Sequence, residues 1–404
     1  MTTQATQATL PISDNSDASS VELILDAKAV AMFPPRPDAI VTLLHSDDFL
    51  PGVQTLLYSI RKKFAFHQLS YPPEVVVLAT SNVNMSNAFA TLYPTFCTRI
   101  LEVNQWDHPA TSIDSKLMKG NKPIERSLDN HNPGWTKLRI FSLQQYETIL
   151  YIDSDCLVLK DLSHLFALNK VYTISEALIA AAPDILPPHY FNTGVMVVRP
   201  STAVFETMQR NASFLTTYDG SDTGFLNAYY STWYTDFPPD ARLSVGYNAQ
   251  TALYKMTADS SGNSTFWDAQ LSHELHIVHY SEAIKPWQVN SSSPNSTSTN
   301  ALHTLWKSWY QKSKNFLARD KKERAKEEQE RQLHMERKEQ ERKAAAAALA
   351  SDPKHVHNQV SKRFKELRAQ GMSTKEAMQQ ARRELQPKED LDVGSQVAAM
   401  FGMR

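Results

Sequence analysis

Cysteine is nearly absent from this sequence. Cys97 and Cys156 are the only two among 404 residues. That is too few for a disulfide framework, so a reduced compartment is the simpler expectation. A charge imbalance is lacking too. The 42 Lys and Arg against 43 Asp and Glu leave a formal net charge of −1. This argues against nucleic acid as the main partner, because phosphate backbones are held by excess positive charge. No apolar run approaches the roughly 20 residues needed to cross a bilayer, so no membrane span is expected. Residues 1–20 lack the basic start and apolar centre of a secretory signal, which makes the cytoplasm the expected location. No internal repeat is present.

What is there centres on residues 147–159. The apolar run Ile149 to Ile152 stops at Asp153 and Asp155, and a second apolar run begins at Cys156. Alternate side chains of an extended chain point the same way, so the two carboxylates can project together from a strand end. Adjacent carboxylates repel unless a cation lies between them. Oxygen ligands suit Mg²⁺ or Mn²⁺, ions that share their shell with substrate phosphates. Two solvated aspartates in a turn is the simpler account of an isolated Asp-x-Asp, so the rest of the chain has to support the metal.

The chain in order supplies a frame. Residues 1–35 read as a disordered tail with a short helix near Val21–Met32, ended by Pro34 and Pro35. Residues 39–44 form a buried strand, and Val53, Leu56, Leu57 and Ile60 have helical spacing. A strand at Glu74–Thr80, a helix near Asn87–Leu92 and a strand at Thr98–Val103 follow. This alternation predicts a mostly parallel sheet with helices on both faces. Residues 104–134 read as a long loop of the kind that forms lids. A helix is expected at Trp135–Leu143, strands at Leu178–Ala182 and His276–Tyr280, a polar turn running into a strand over Phe191–Pro200, and a helix at Phe225–Tyr230 after a turn-rich loop. The carboxylates would then sit at the carboxyl end of a strand, where open α/β sheets bind nucleotides.

Beyond Trp287 the composition changes. Residues 290–300 are a Ser/Asn/Thr linker. Leu302, Leu305, Trp306 and Trp309 have helical spacing and can dock on the domain. Residues 316–350 read as a charged, solvent-exposed helix, and 351–404 as a short helical tail with Ser373 and Glu376 as a capping box. The domain proper spans 36–315. The tail offers a surface for a protein partner, although a solvated extension is the simpler reading. A homodimer is compatible with the sequence.

Other residues join the carboxylates. A neutral His279 can add a nitrogen ligand. Lys285 can neutralise a diphosphate leaving group as charge builds on it. Asp222, in a glycine-flanked loop, and Asn192, before Thr193 and Gly194, are further candidates; each also has an ordinary reading as a turn residue.

Taken together, the set resembles the glycogenin-like glycosyltransferases of family 8. The resemblance rests on residues 39–43, Lys137-Leu138-Arg139, Asp153-Ser154-Asp155, residues 191–195, residues 219–224, and His279 with Lys285-Pro286-Trp287, all in order. Glycogenins, galactinol synthases and plant xylan glucuronosyltransferases share the pattern. It implies a GT-A-like α/β fold with a mixed, mostly parallel sheet and a C-terminal helical extension. It implies transfer of a sugar, glucose first, from a UDP-sugar to a hydroxyl acceptor with retention, helped by Mn²⁺ or Mg²⁺. Leu43, Leu44, His45 and Phe49 would line the nucleoside pocket. Lys137 would reach the donor, with Arg139 nearby. Asp153, Asp155 and His279 would hold the metal, with Ser154 between the carboxylates. Asn192, Thr193, Asp222 and Thr223 would lie at the sugar, and Lys285 at the diphosphate; Asp222, Lys285 and Asn192 are the catalytic candidates.

Two departures stand out. Thr223 occupies a place where the family often has Gln, and Glu282 one where it often has Gly. Tyr254 falls near glycogenin's acceptor tyrosine, but an ordinary buried tyrosine is the favoured reading. A weakly active nucleotide-sugar scaffold and a nucleotidyltransferase are the competing readings.

Overall fold

The computed structural model describes residues 38–69, 71–106, 133–168, 179–185, 189–259, 263–289 and 300–385. The expected helix near Val21–Met32, most of the expected lid loop and the Ser/Asn/Thr linker lie outside these residues. The chain divides into two compact units, Met1–Ala318 and Arg319–Arg404.

The first unit is built on a six-stranded sheet. Its strands are β1 (Asp38–Leu44), β2 (Glu74–Ala79), β3 (Arg99–Glu102), β4 (Thr148–Ile152), β6 (Ile179–Pro183) and β7 (Phe191–Val198), in the order β3-β2-β1-β4-β7-β6. β5 (Cys156–Val158), β8 (Ala249–Gln250) and β9 (Ile277–His279) form a second, three-stranded sheet in the order β5-β9-β8. β3, β2, β1 and β4 run parallel, and β7 runs against β4 and β6. The expectation of a mixed, mostly parallel sheet holds.

Both faces of the large sheet are covered, so its strands read as unbroken apolar runs rather than as alternating ones. On one face Ile40, Leu44, Val75 and Val77 pack with Val53, Leu56 and Ile60 of α1 (Leu50–Lys63) and Ala88 of α2 (Met85–Leu92). On the other, Ala39, Val41, Leu43 and Tyr151 pack with Phe205 of α3 (Thr202–Asn211), Phe225 of α4 (Asp222–Tyr229) and Trp233 of α5 (Trp233–Asp236). A third cluster joins the small sheet to Tyr254 of α6 (Thr251–Thr257) and to Leu302 and Trp306 of α7 (Asn300–Ser351). Trp306 is 1% exposed. Burying a side chain of this size stabilises by roughly 1.5–3 kcal/mol, which fixes the start of α7 as the spacing predicted.

Two local expectations change. The helix expected at Trp135–Leu143 starts two residues earlier and winds with 3-10 pitch over Pro133–Ser142. Three residues per turn align Gly134 with Lys137, and both line the same cleft. The turn-rich loop ends sooner than expected, because Ser221 Oγ accepts the N–H groups of Thr223 and Gly224 at 3.1 and 3.2 Å. This cap starts α4 at Asp222 instead of Phe225 and fixes that carboxylate in a first turn.

In the second unit, α7 continues as an exposed helix with pairs such as Arg324–Asp320 at 2.9 Å and Lys326–Glu330 at 3.6 Å. Such pairs contribute only a few tenths of a kcal/mol each, roughly, so they keep the helix soluble more than they hold it. Asp352 caps α8 (Pro353–Ala369), and Ser373 caps α9 (Thr374–Leu385) by accepting from Glu376 N–H at 3.3 Å. Leu367, Ala377 and Ala381 close a small core between them. Among the described residues, no helix is long and apolar enough to cross a membrane.

Candidate active site

The carboxyl ends of β1 and β4 open into a cleft of about 240 Å³. β4 ends at Ile152, and Asp153 follows at the rim. Gly52, at the start of α1, makes the close packing there feasible. A Cβ on it would fall 2.7 Å from both Ser154 O and the Trp287 ring.

Lys137 is the hub on one side. Its Nζ lies 2.9 Å from Asp153 Oδ1 and 3.0 Å from Asp222 Oδ2. Burial alone would lower the pKa of this ammonium; Asp153 and Asp222 outweigh that and hold it above the ordinary lysine value. Thr193 Oγ1 donates to Asp222 Oδ2 at 2.5 Å and shares a 2.7 Å hydrogen bond with Thr223 Oγ1. Tyr151 OH donates to Asp153 Oδ1 at 2.8 Å.

Asp155 is the hub on the other side. Its Oδ2 accepts from Lys285 Nζ at 2.6 Å, and its Oδ1 lies 3.3 Å from His279 Nε2. Burial would raise its pKa, but the Lys285 ammonium, joined by the His279 ring when that ring carries both protons, holds the carboxyl well below the usual carboxylate range. Asp153 Oδ2 is 4.0 Å from the same Nε2. Two carboxylates and an imidazole nitrogen thus converge, and a hard divalent ion fits this donor set. Asp155, Cys156 and His279 also bring one ligand atom each within 4.8 Å of one another. Burial pushes the Cys156 thiol well above its ordinary value, and a hard ion prefers oxygen to sulfur, so Asp153 suits the donor set better.

One end of the cleft is lined by aromatic rings. His45 and Phe49 have ring centroids 4.1 Å apart, and Trp287 meets Phe49 edge-on at 5.4 Å. Burial pushes the His45 pKa down from 6.5 to about 4, against the opposing pull of Asp155 and Asp153. A depressed histidine contributes stability that is complete above 6.5 and fades as pH falls through 4. Between about pH 7 and about pH 4.5 this amounts to about 2 kcal/mol. His45→Asn removes it, so urea midpoints of the native chain and the variant should converge as pH falls.

Most expected site residues meet here. Leu43, His45, Phe49, Lys137, Asp153, Ser154, Asp155, Asn192, Thr193, Asp222, Thr223, His279 and Lys285 all line the cleft. Leu44 and Arg139 do not. Strand alternation turns Leu44 into the opposite core cluster, and Arg139 Nε donates to Asn104 O at 2.6 Å. Three contributors were not singled out in the sequence. Tyr151 was open to the same period-two argument as the aspartates. Ser221 and Asn248 act through caps and long-range pairing that no local pattern reports.

Residues 40–291 match the sequence profile of glycosyl transferase family 8. The chain belongs to that family. Its mixed sheet, with helices on both faces and the helical extension α7–α9, is GT-A-like. The family 8 chain is 29% identical over 270 residues to inositol phosphorylceramide glucuronosyltransferase 1 of Arabidopsis thaliana, which covers 62% of this chain and 42% of that one. It is 26% identical over 286 residues to glycogenin of Komagataella phaffii, covering 69% and 64% respectively. It thus spans less than two thirds of the length of both relatives. Among solved structures, the glycosyltransferase GlyE of Streptococcus pneumoniae TIGR4 aligns over 70% of this chain and 62% of its own, at 17% identity and a TM-score of 0.44.

The departures within this family 8 chain have structural settings. Glu282 does not line the cleft; its carboxylate pairs with Lys255 Nζ at 2.5 Å. Thr223 turns toward Thr193. Tyr254 is 6% exposed and lies edge-on to Trp267, with ring centroids 5.4 Å apart.

Proposed function

We propose that the chain is a retaining glycosyltransferase that moves a sugar from a UDP-sugar to a hydroxyl acceptor, aided by Mn²⁺ or Mg²⁺. One observation carries the reading. Two carboxylates from one strand end converge with His279 and Lys285, while Lys137 bridges Asp153 to Asp222 across the cleft.

Asp153, Asp155 and His279 would hold the divalent ion. When bound, it would supply positive charge to the departing diphosphate. Lys285 is the chain's own electrophile for that leaving group, because its ammonium can turn from Asp155 to a phosphate oxygen as charge develops. Lys137 and Asn192 would orient the sugar. In the transfer, the bond from the anomeric carbon to the UDP oxygen breaks and the bond to the acceptor oxygen forms. The acceptor proton leaves with the diphosphate. Asp222 Oδ2 is tied to Lys137 and to Thr193, which lowers its nucleophilicity. That favours same-face attack, with Asp222 stabilising the positive charge that builds on the sugar.

Glucose is the first donor to test. UDP-glucuronate is the second, since one relative is named as a glucuronosyltransferase. The experiment is UDP release from a panel of UDP-sugars, with Mn²⁺, with Mg²⁺ and with EDTA. Turnover of one donor, lost with EDTA, is the expected result. Binding of UDP with no turnover of any donor would overturn the enzyme reading in favour of a nucleotide-sugar scaffold.

A further inference from the structure

A chain of buried hydrogen bonds runs behind the carboxylates. Gly194 N–H donates to Asn192 Oδ1 at 2.9 Å. Asn248 Nδ2 donates to the same oxygen at 2.8 Å. Asn248 Oδ1 lies 2.8 Å from His279 Nδ1. Asn192, Asn248 and His279 are 3%, 1% and 4% exposed, so water cannot substitute freely for these partners.

The direction of the chain follows from its first member. A backbone amide can only donate, so Asn192 must present its oxygen to Gly194. Its other end agrees: Asn192 Nδ2 faces Asp184 Oδ1, a carboxylate oxygen, at 3.5 Å. Asn248 must then offer its Nδ2 to Asn192, which turns its Oδ1 toward His279. An oxygen there requires a proton on Nδ1. In the neutral ring, Nε2 is left with a lone pair, aimed at Asp155 Oδ1. Two acceptors therefore face each other across 3.3 Å, a contact that calls for a cation.

The fold supports this relay. β8 pairs with β9, placing Gln250 opposite His279 and bringing Asn248 alongside the ring. The ring also packs on Gly194, where a Cβ would fall 2.5 Å from His279 Cε1. One backbone amide thus sets the protonation of a side chain two links away.

We infer that Asn248 is a positioning residue that holds His279 in its Nδ1–H tautomer, Nε2 toward the carboxylates, and couples that ring to Asn192. The tautomer does not depend on the proposed function; only its use as a metal ligand rests on that reading. An amide is required, because it must accept from the imidazole and donate to Asn192 at once.

The test uses the full chain with ¹⁵N-labelled histidine, the His279 signal being identified by its loss in His279→Gln. Ring nitrogen shifts are read at about pH 8.5, above the ordinary histidine value. Mn²⁺ affinity is read separately by electron paramagnetic resonance without donor. The native chain should show Nδ1–H. Asn248→Ala should shift His279 to Nε2–H, which then donates to Asp155, and weaken Mn²⁺ by roughly 10–100-fold. Asn248→Asp keeps an acceptor, so it should retain the Nδ1–H tautomer and Mn²⁺ binding while raising the donor KM through Asn192. A native Nε2–H signature, or an Asn248→Ala variant with native tautomer and Mn²⁺ affinity, overturns the inference. So does a loss of thermal stability in both variants with no change in tautomer. A native chain that binds no Mn²⁺ but shows the tautomer shift would sink the metal reading and leave the role of Asn248 standing.

Discussion

Asp153→Asn is expected to cut UDP release by roughly 10³-fold, about 4 kcal/mol of lost transition-state stabilisation. The change keeps the size of the side chain. Tyr151 OH, 2.8 Å from Asp153 Oδ1 in the native chain, can still donate to the remaining carbonyl oxygen, and Lys137 keeps Asp222 as its partner. Folding should therefore survive with a modest loss of stability. What disappears is one negative charge from the proposed metal-ligand set. Three readouts separate the causes: turnover, Mn²⁺ affinity and the thermal midpoint. Turnover within tenfold of the native chain would show that Asp153 is not a ligand that matters to the reaction.

The second large effect is structural as well as chemical. Lys137→Met should destabilise the chain by about 3–5 kcal/mol, because it leaves the carboxylates of Asp153 and Asp222 without their shared ammonium. For a domain of this size that is a fall of about 10 °C in the thermal midpoint. The pH dependence has a definite sign. The folded pKa of Lys137 lies above the ordinary 10.5, so its contribution is complete below 10.5 and is lost only as pH rises through the folded value. The gap between native chain and variant should stay constant from neutral to mildly alkaline pH and narrow beyond 10.5. A gap under about 1 kcal/mol would mean that the pair contributes no more than an exposed one.

The sequence made some of this site readable and hid the rest for physical reasons. Asp153 and Asp155 were legible because strand alternation is local. Leu43 and Leu44 show the limit of that argument: both were assigned to the cleft, yet the same alternation allows only one of two neighbours to face it. Asp222 was expected in a loop; the Ser221 cap moved it into a helix, and a cap competes on terms that composition does not reveal. Lys137 and Asp222 are 85 positions apart, and Asn248 and Asn192 are 56 apart. Their meeting depends on sheet order, which periodicity does not encode. The helix over residues 133–142 was legible, but its pitch was not, for a related reason. Its residues are buried on nearly all sides, so no amphipathic stripe distinguishes one helical pitch from another.

The pairing of both cleft lysines bears on how an anionic ligand arrives. Among the described residues lining the cleft, three carboxylates stand against two ammonium groups, and each ammonium is within 3.0 Å of a carboxylate oxygen. From these described groups, little positive field is left over to draw the nucleotide diphosphate of the proposed function from bulk solution. If the proposed function holds, capture is an ion exchange at close range, in which a phosphate displaces Asp155 from Lys285. Long-range steering normally makes association fall steeply with ionic strength. Here the encounter step should be nearly indifferent to salt, and discrimination among anions should rest on which of them can complete the exchange.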